Sequence, residues 1–151
     1  MATYSFLDVQ ATLTGPTGSI SFGNGAANSE EGITISQAND RNIMVTGADG
    51  SVMHSLRAAN SGTITINLLK TSPVNAKLSD MYNAQTASSL LHGKNVITIR
   101  NVATGDTIIA SQVAFKRDPD NSYATEGGTI AWQFDAGHIN TKLGTGDPEA
   151  E

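Results

Sequence analysis

The fold is decided by residues 63–78, which read Thr63-Ile64-Thr65-Ile66-Asn67-Leu68-Leu69 and then Lys70-Thr71-Ser72-Pro73-Val74-Asn75-Ala76-Lys77-Leu78. In the first half apolar and polar residues alternate, which is typical of a half-buried strand. In the second half Ser72 is a good helix N-cap residue. Pro73 suits the first helical position, because an N–H there would have no intrahelical hydrogen-bond partner. The stretch therefore predicts a strand that leads directly into a helix.

The helix should cover about residues 73–86. Its buried stripe is the set of residues at helical spacing, namely Val74, Leu78, Met81, Tyr82 and Gln85. Such a stripe would pack the helix onto a sheet. Its end is signalled either by Ser88-Ser89 or by His92-Gly93, and the pattern leaves open whether residues 86–91 continue the helix.

Strand patterns recur on both sides of this stretch. The expected strands carry Leu7, Val9, Ala11 and Leu13; Ile20 and Phe22; Ile33 and Ile35; Ile43 and Val45; Val52 to Arg57; Val96 to Arg100; Thr107 to Arg117; and Ile130, Trp132, Phe134 and Ala136. Gly47-Ala48-Asp49-Gly50 predicts a hairpin turn, because Asp-Gly accepts a positive φ.

These patterns predict one α+β domain over residues 1–141, dominated by antiparallel β-sheet. Its expected shape is a β-sandwich or partly closed barrel with one flanking helix. Residues 142–151 contain Gly, Pro and three acids, and we expect them to form a flexible acidic tail.

Composition favours a surface that meets other protein. Charged residues make up 15% of the chain, against about 25% in ordinary soluble domains. Small neutral polar residues replace them, and interface cores are depleted in charge. The alternative is a merely polar β domain of extracellular type.

Several classes of partner are disfavoured. The net charge is −5 and the basic residues are scattered along the sequence, which argues against tight binding of nucleic acid. There is no cysteine, so disulfides and thiolate metal sites are ruled out. No apolar run reaches membrane-spanning length, and no export signal precedes the first strand, so we expect no membrane insertion.

Sequence patterns for catalysis and metal binding are weak. His54, His92 and His138 lack partners at metal-ligand spacing. The run Asp118 to Ser122 starts like a calcium loop, but Tyr123 stands where Gly is needed and Thr129 where Glu is needed, so a plain turn is favoured. A serine triad assembled in space stays open. We predict no enzyme, no catalytic residue, no metal and no cofactor.

Four strings identify a resemblance: Glu31-Gly32-Ile33-Thr34, Gly47-Ala48-Asp49-Gly50, Met53-His54-Ser55-Leu56 and Leu69 to Leu78. They are similar to the tail-tube proteins of contractile-tailed bacteriophages. The similarity runs from Ser5 through Phe115-Lys116-Arg117-Asp118 to Phe134-Asp135, and the acidic tail lies outside it.

The resemblance implies hexameric rings, whose subunits add strands to a continuous inner β-barrel and stack into a hollow tube inside a contractile sheath. Implied partners are copies of the chain itself, the tail sheath, the baseplate and the tape-measure protein. Double-stranded DNA would pass through without specific binding. The expected location is the virion, after assembly in the bacterial host cytoplasm. The alternative is a virion accessory or baseplate binding module of similar β fold.

Two sets of candidate site residues follow. The polar faces opposite the apolar stripes are candidates for the channel lining, with the outer wall as the alternative: Thr63, Thr65, Asn67, Thr129, Gln133 and Asp135. The long loops Gly23 to Gly32 and Asp118 to Gly128 are candidates for contacts between rings or with the sheath, with solvent-exposed disordered loops as the alternative. Their candidate residues are Asn24, Asn28, Glu30, Glu31, Asp120, Tyr123 and Glu126.

Overall fold

The structure, a computed structural model, describes residues 4–5, 8–23 and 28–144. Within them the elements are β1 (Val9–Gly15), β2 (Gly18–Gly23), β3 (Asn28–Gln37), β4 (Asn42–Thr46), β5 (Val52–Leu56), β6 (Gly62–Leu69), α1 (Val74–Thr86), β7 (Asn95–Asn101), β8 (Asp106–Phe115) and β9 (Thr129–Lys142). The strand pairs are all antiparallel. The predicted α+β class with a mainly antiparallel sheet is confirmed.

Seven strands form the main sheet in the order β2-β1-β7-β8-β9-β6-β3. β4 and β5 form a separate two-stranded sheet. Among the described residues the main sheet does not close on itself, and β2 and β3 are its two edges. The subunit is therefore an open sheet, not a barrel.

The core lies between one face of this sheet and α1. Every apolar stripe predicted in β6 and β9 is buried, as are the described members of the β1 stripe: Ile64, Ile66, Leu68, Ile130, Trp132, Phe134, Ala136, Val9, Ala11 and Leu13. Leu7 lies outside the described residues. Phe115 is the centre of an aromatic group, with ring centroids 5.6 Å from Tyr82, 6.0 Å from Trp132 and 4.8 Å from Phe134. The helix thus covers the sheet through the stripe that the sequence predicts.

The start of α1 differs from the prediction by one residue. Pro73 occupies the N-cap position and the helix begins at Val74. Ser72 still serves the helix terminus, because its hydroxyl accepts the N–H of Val74 at 3.3 Å. The helix ends at Thr86, and residues 89–93 form turns that include Gly93 at φ +77°. The helix therefore includes Thr86, but residues 87–91 do not continue it.

A buried pair of amides joins α1 to β7. Gln85 donates to Asn95 Oδ1 at 2.7 Å, and Asn95 donates back to Gln85 Oε1 at 2.6 Å. Gln85 also donates to the hydroxyl of Thr17, in the β1–β2 turn, at 3.1 Å. Gly15 packs against the Asn95 amide so closely that a Cβ would collide with it. These contacts hold the end of the helix at one place on the sheet.

β8 and β9 change faces at Gln112 and Gly137. Ala110 comes before Gln112 in the chain and Val113 after it, and both side chains are buried. Because they are three residues apart, the two-residue alternation of the strand is broken there. Gln112 has φ +54°, and a Cβ on Gly137 would lie 2.9 Å from the Gln112 Cβ, which a change of side-chain rotamer cannot move away. Glycine is therefore needed at 137, and the local bend lets both halves of the long strands face the core.

Three predicted features are corrected. The loop Gly23 to Gly32 is shorter, because β3 begins at Asn28. The strand with Ile43 and Val45 exists, but both side chains are exposed. β9 extends to Lys142, one residue into the predicted tail.

Candidate assembly surfaces

β4, β5 and the turn between them form a hairpin, residues 42–56, that we call the apolar hairpin. Its turn is closed by hydrogen bonds from Gly47 N to the Ser51 carbonyl at 2.7 Å and from Gly50 N to the Gly47 carbonyl at 3.0 Å. Gly50 has φ +89°, so the predicted turn is confirmed with the backbone that Asp-Gly favours. The Ser51 N–H donates to Asp49 Oδ1 at 3.0 Å, and this bond, aided by the Ser51 side chain, lowers the pKa of Asp49.

The hairpin leaves the main sheet where β3 ends and β6 begins. Ala38 N donates to the Ser61 carbonyl, and Ile139 N to the Asn60 carbonyl, both at 3.0 Å. At the hairpin base Arg57 N donates to the Arg41 carbonyl, and Arg41 Nε donates to the Arg57 carbonyl, both at 2.7 Å. The base is therefore tied down while the strands beyond it pair only with each other.

Both faces of the apolar hairpin are exposed. The apolar side chains are between 46% and 80% exposed: Ile43, Met44, Val45, Val52, Met53 and Leu56. Successive strand residues point to opposite faces, so neither face is polar. A lone two-stranded hairpin is marginally stable in water, and clustered exposed apolar side chains mark an interaction site. We therefore expect the apolar hairpin to be buried against another protein surface.

The sequence prediction missed this surface, although a signal was present. Ile43-Met44-Val45 and Val52-Met53 are consecutive apolar residues, not alternating ones. Consecutive apolar residues in a strand indicate burial on both faces. The prediction used Ile43 and Val45 only to mark a strand, and did not use the consecutive apolar residues around them.

The polar residues predicted to line a channel are largely brought together. Thr63 lies opposite Asp135 and Thr65 opposite Gln133 in the β6–β9 register. Thr63, Thr65 and Gln133 are half-buried, and Asp135 is exposed. These four residues form a polar face of the sheet that is neutral except for one carboxylate.

Two of the predicted lining residues differ from this group. Asn67 is only 6% exposed, and its amide donates to the Gly32 carbonyl at 3.4 Å. Thr129 is exposed at the start of β9, opposite Leu69. Asn67 therefore stabilises the β3–β6 pair, while Thr129 stands at the border of the polar face.

The loop between β8 and β9, residues 116–128, is held by one lysine, and we call it the clamped loop. Lys70 Nζ donates to Asn121 Oδ1 at 3.0 Å and to the Ser122 carbonyl, and lies 3.8 Å from the centroid of the Tyr123 ring. Such a cation over an aromatic face is worth about 0.5–1 kcal/mol at an exposed site. The loop is long and exposed but anchored.

The contact candidates are divided between two places. Asp120, Tyr123 and Glu126 are exposed on the clamped loop. Asn28, Glu30 and Glu31 belong by their backbone to β3, and Asn28 lies opposite Leu68 of β6. Asn24 lies outside the described residues. Asn28 and the clamped loop both lie toward the Leu69 end of β6, because Asn28 pairs with Leu68 and the loop is joined to Lys70 at Gly128.

The histidines lie apart from one another. His54 contacts Asn42 at 3.2 Å within the hairpin, and His138 contacts Asn60 at 2.7 Å at its base. His92 is exposed in the turns after α1. Over the described ranges no three His, Asp or Glu side chains lie close enough together to hold a metal ion. No helix within these described ranges is long and apolar enough to span a membrane.

Comparison with known proteins agrees with the fold. A family model described as the bacteriophage PhiTE tail tube protein matches residues 1–144. No curated protein matches the sequence significantly.

Solved structures extend the comparison to contractile injection systems. A chain of the sheath/tube terminator of the PVC extracellular contractile injection system, in its extended state, has a TM-score of 0.59 at 16% identity, over 94% of this chain and 98% of that one. A chain of the PVC sheath-tube complex has a TM-score of 0.54 at 16% identity, over 89% and 88%. The tube-terminating cap of the anti-feeding prophage has a TM-score of 0.55 at 16% identity, over 95% and 94%. At these identities the likeness shows a shared fold.

Proposed function

The chain belongs to the family of the bacteriophage PhiTE tail tube protein, and from this membership we propose that it self-assembles into stacked hexameric rings that form a hollow tube. The family is structural, so the chain is a tail-tube-related component of a phage particle and not an enzyme. The proposed tube conducts the genome during delivery and lies inside a contractile sheath.

The apolar hairpin carries the proposal. Six large apolar side chains stand in water on an element that has no layer against it in the described part of the subunit. Covering such a surface is favourable by about 25 cal/mol for each Å² removed from water. A second copy of the chain is the partner that a self-assembling tube always supplies.

The open sheet supports the same conclusion. β2 and β3 are edges, and edge strands offer unpaired backbone groups to other strands. Pairing these edges between neighbouring subunits would continue the sheet around a ring and build the inner barrel. The barrel is then a property of the assembly.

The polar face of Thr63, Thr65, Gln133 and Asp135, with Thr129 at its border, is the proposed channel lining. These five side chains offer hydrogen-bonding groups and one carboxylate, and the guanidinium beside them, that of Arg117, lies 3.7 Å from the Asp120 carboxylate. Little counterion release would therefore hold DNA in place. Asn67 is left out of the lining because its buried amide already serves a backbone carbonyl.

The further proposed partners are the sheath, the baseplate and the tape-measure protein, in a virion assembled in the bacterial cytoplasm. The PVC chain of similar fold comes from a sheath-tube complex, which supports a sheath partner. Asn24, Asn28, Glu30, Glu31, Asp120, Tyr123 and Glu126 remain proposed contacts between rings or with the sheath.

Negative-stain microscopy of concentrated purified protein tests the proposal. The wild type should form tubes, while Met44→Asp with Met53→Asp should leave folded subunits that do not grow. Leu90→Asp is the matched control, because Leu90 is 75% exposed in the turns after α1. Tubes from the hairpin variant would contradict the role of the hairpin. A wild type that stays a small oligomer at all concentrations would favour an accessory or baseplate module instead.

A further inference from the structure

Resting on the self-assembly proposed above, we propose that the apolar hairpin of one copy docks on the clamped loop of the next copy along the tube. In this contact Arg41 and Arg57 at the hairpin base meet Asp118 and Glu126 of the loop. The partner is a second copy of this chain, and the contact joins two different surfaces.

The hairpin base carries two cations, Arg41 and Arg57, and one exposed carboxylate, Asp40, that forms an ion pair with neither of them. Arg41 and Arg57 lie directly opposite each other, one residue beyond the Asn42–Leu56 pair. Like charges in opposite positions of a strand pair are unfavourable. Both side chains are exposed, and neither guanidinium forms an ion pair with a carboxylate whose side chain the structure describes, a set that does not include Glu30 and Glu31. The pair would be stabilised by carboxylates that a neighbouring copy brings.

The clamped loop has the complementary character. Among its charged side chains, Arg117 and Asp120 form an ion pair with each other at 3.7 Å. Lys116 is the first residue after β8. Asp118 and Glu126 are exposed carboxylates that have no ion pair within the described ranges. Two loop carboxylates without an ion pair among the described side chains thus match two guanidinium groups that also lack one, although Arg41 Nε is bonded to the Arg57 carbonyl.

The loop also offers an apolar anchor. Tyr123 is 83% exposed, and Lys70 covers only one face of its ring. Exposed tyrosine is enriched in protein interfaces, and a loop already held in position loses less entropy when it binds. The free face of Tyr123 suits the apolar side chains of a docked hairpin.

The two surfaces lie at opposite ends of the subunit. The hairpin leaves at the Gly62 end of β6, whereas the clamped loop meets the chain just past Leu69, where Lys70 N donates to the Gly128 carbonyl at 3.2 Å. Eight strand residues at about 3.3 Å each separate the ends by roughly 25 Å. A contact between two different surfaces is heterologous, and when its rotation does not close into a ring it extends as an open filament. This is the geometry that a growing tube requires.

Charge reversal tests the pairing. Arg41→Glu with Arg57→Glu, and separately Asp118→Lys with Glu126→Lys, should each raise the critical concentration for assembly by about tenfold or more, because like charges then meet at the contact. All four substitutions in one chain should restore assembly, and a 1:1 mixture of the two double variants should co-assemble. Lys77→Glu with Lys94→Glu is the control for the arginine variant, because it makes the same charge change at exposed residues elsewhere.

Sedimentation of nucleic-acid-free protein gives the critical concentration, and thermal melting shows that each variant still folds. Reversed arginines that assemble like the wild type would overturn the pairing. A four-substitution chain that fails to recover would also overturn it, while wild-type tubes would leave the proposed function intact. Wild-type protein that never assembles would instead remove the proposed function itself.

Discussion

Replacing Gln85 with leucine should destabilise the subunit through the amide that it leaves behind. Gln85 and Asn95 are both fully buried and exchange two short hydrogen bonds. In Gln85→Leu the Asn95 amide loses a donor partner and an acceptor partner at once. The tight packing of Gly15 against that amide restricts the room for a replacing water molecule. The Thr17 hydroxyl is partly exposed and can turn to solvent instead.

The magnitude follows from these contacts. Each buried polar group left without a partner costs about 1–3 kcal/mol, and leucine regains part of this through its apolar surface. We expect a net loss of about 3 kcal/mol in the free energy of unfolding. For a chain of this length that corresponds to a fall in Tm of about 6–12 °C. Gln85→Leu combined with Asn95→Leu should recover most of the loss, because two apolar side chains leave nothing unsatisfied.

The assay is thermal unfolding of dispersed subunits, followed by circular dichroism in the Met44→Asp, Met53→Asp background so that assembly does not contribute. Asn83→Leu is the control, because Asn83 is exposed on the same helix. The reasoning is refuted if Gln85→Leu melts together with the control. It is also refuted if the double variant is as unstable as the sum of the two single ones, since the amides would then act independently.

Three further outcomes are expected. Ile66→Asp places a carboxylate at a fully buried position, which costs several kcal/mol. The variant should therefore be insoluble, or unfolded by circular dichroism. A variant that melts like the wild type would contradict the strand register. Thr65→Lys with Gln133→Lys puts two cations side by side on the proposed lining. Because they attract the DNA phosphates, assembled particles should eject DNA more slowly at low salt. An unchanged ejection rate at every ionic strength would show that these residues do not line the channel. Because hydrogen bonds from Ser51 lower the pKa of Asp49, their stabilisation of the turn is present above the unfolded pKa of about 3.9 and is lost as pH falls through the folded value. The protection of the Ser51 amide, measured as its exchange rate relative to the intrinsic rate at the same pH, should therefore fall in acid and in Asp49→Ala at neutral pH. Equal protection in that variant would remove this role for the carboxylate.

Much of the fold could be predicted from local patterns. The apolar stripes of β6, β9 and α1 were predicted with their correct faces, because alternation and helical spacing are set by backbone geometry alone. The hairpin turn was predicted for the same reason, since Asp-Gly favours its backbone dihedrals. The strings in β3, β5 and the β6–α1 junction also predicted the family that the whole-chain comparison shows.

The candidate site was predicted only in part. Alternation in β6 and β9 indicated a polar face, and the register then placed Thr63 beside Asp135 and Thr65 beside Gln133. The burial of Asn67 could not be predicted, because it depends on a carbonyl 35 residues away in the chain. The pairing of Gln85 with Asn95 likewise joins two elements whose contact no periodicity specifies.

The sequence by itself determined which residues form strands and helix, which side chains share a face, and which family the chain resembles. Only the tertiary structure decided the strand order, the open edges at β2 and β3, the change of face at Gln112 and Gly137, and the exposure of the apolar hairpin. The physical reason is that backbone geometry sets a period within each strand, whereas the layer that covers a face comes from distant parts of the chain. On the hairpin that layer is missing from the described subunit, so apolar residues that a local pattern places in a core stand in water.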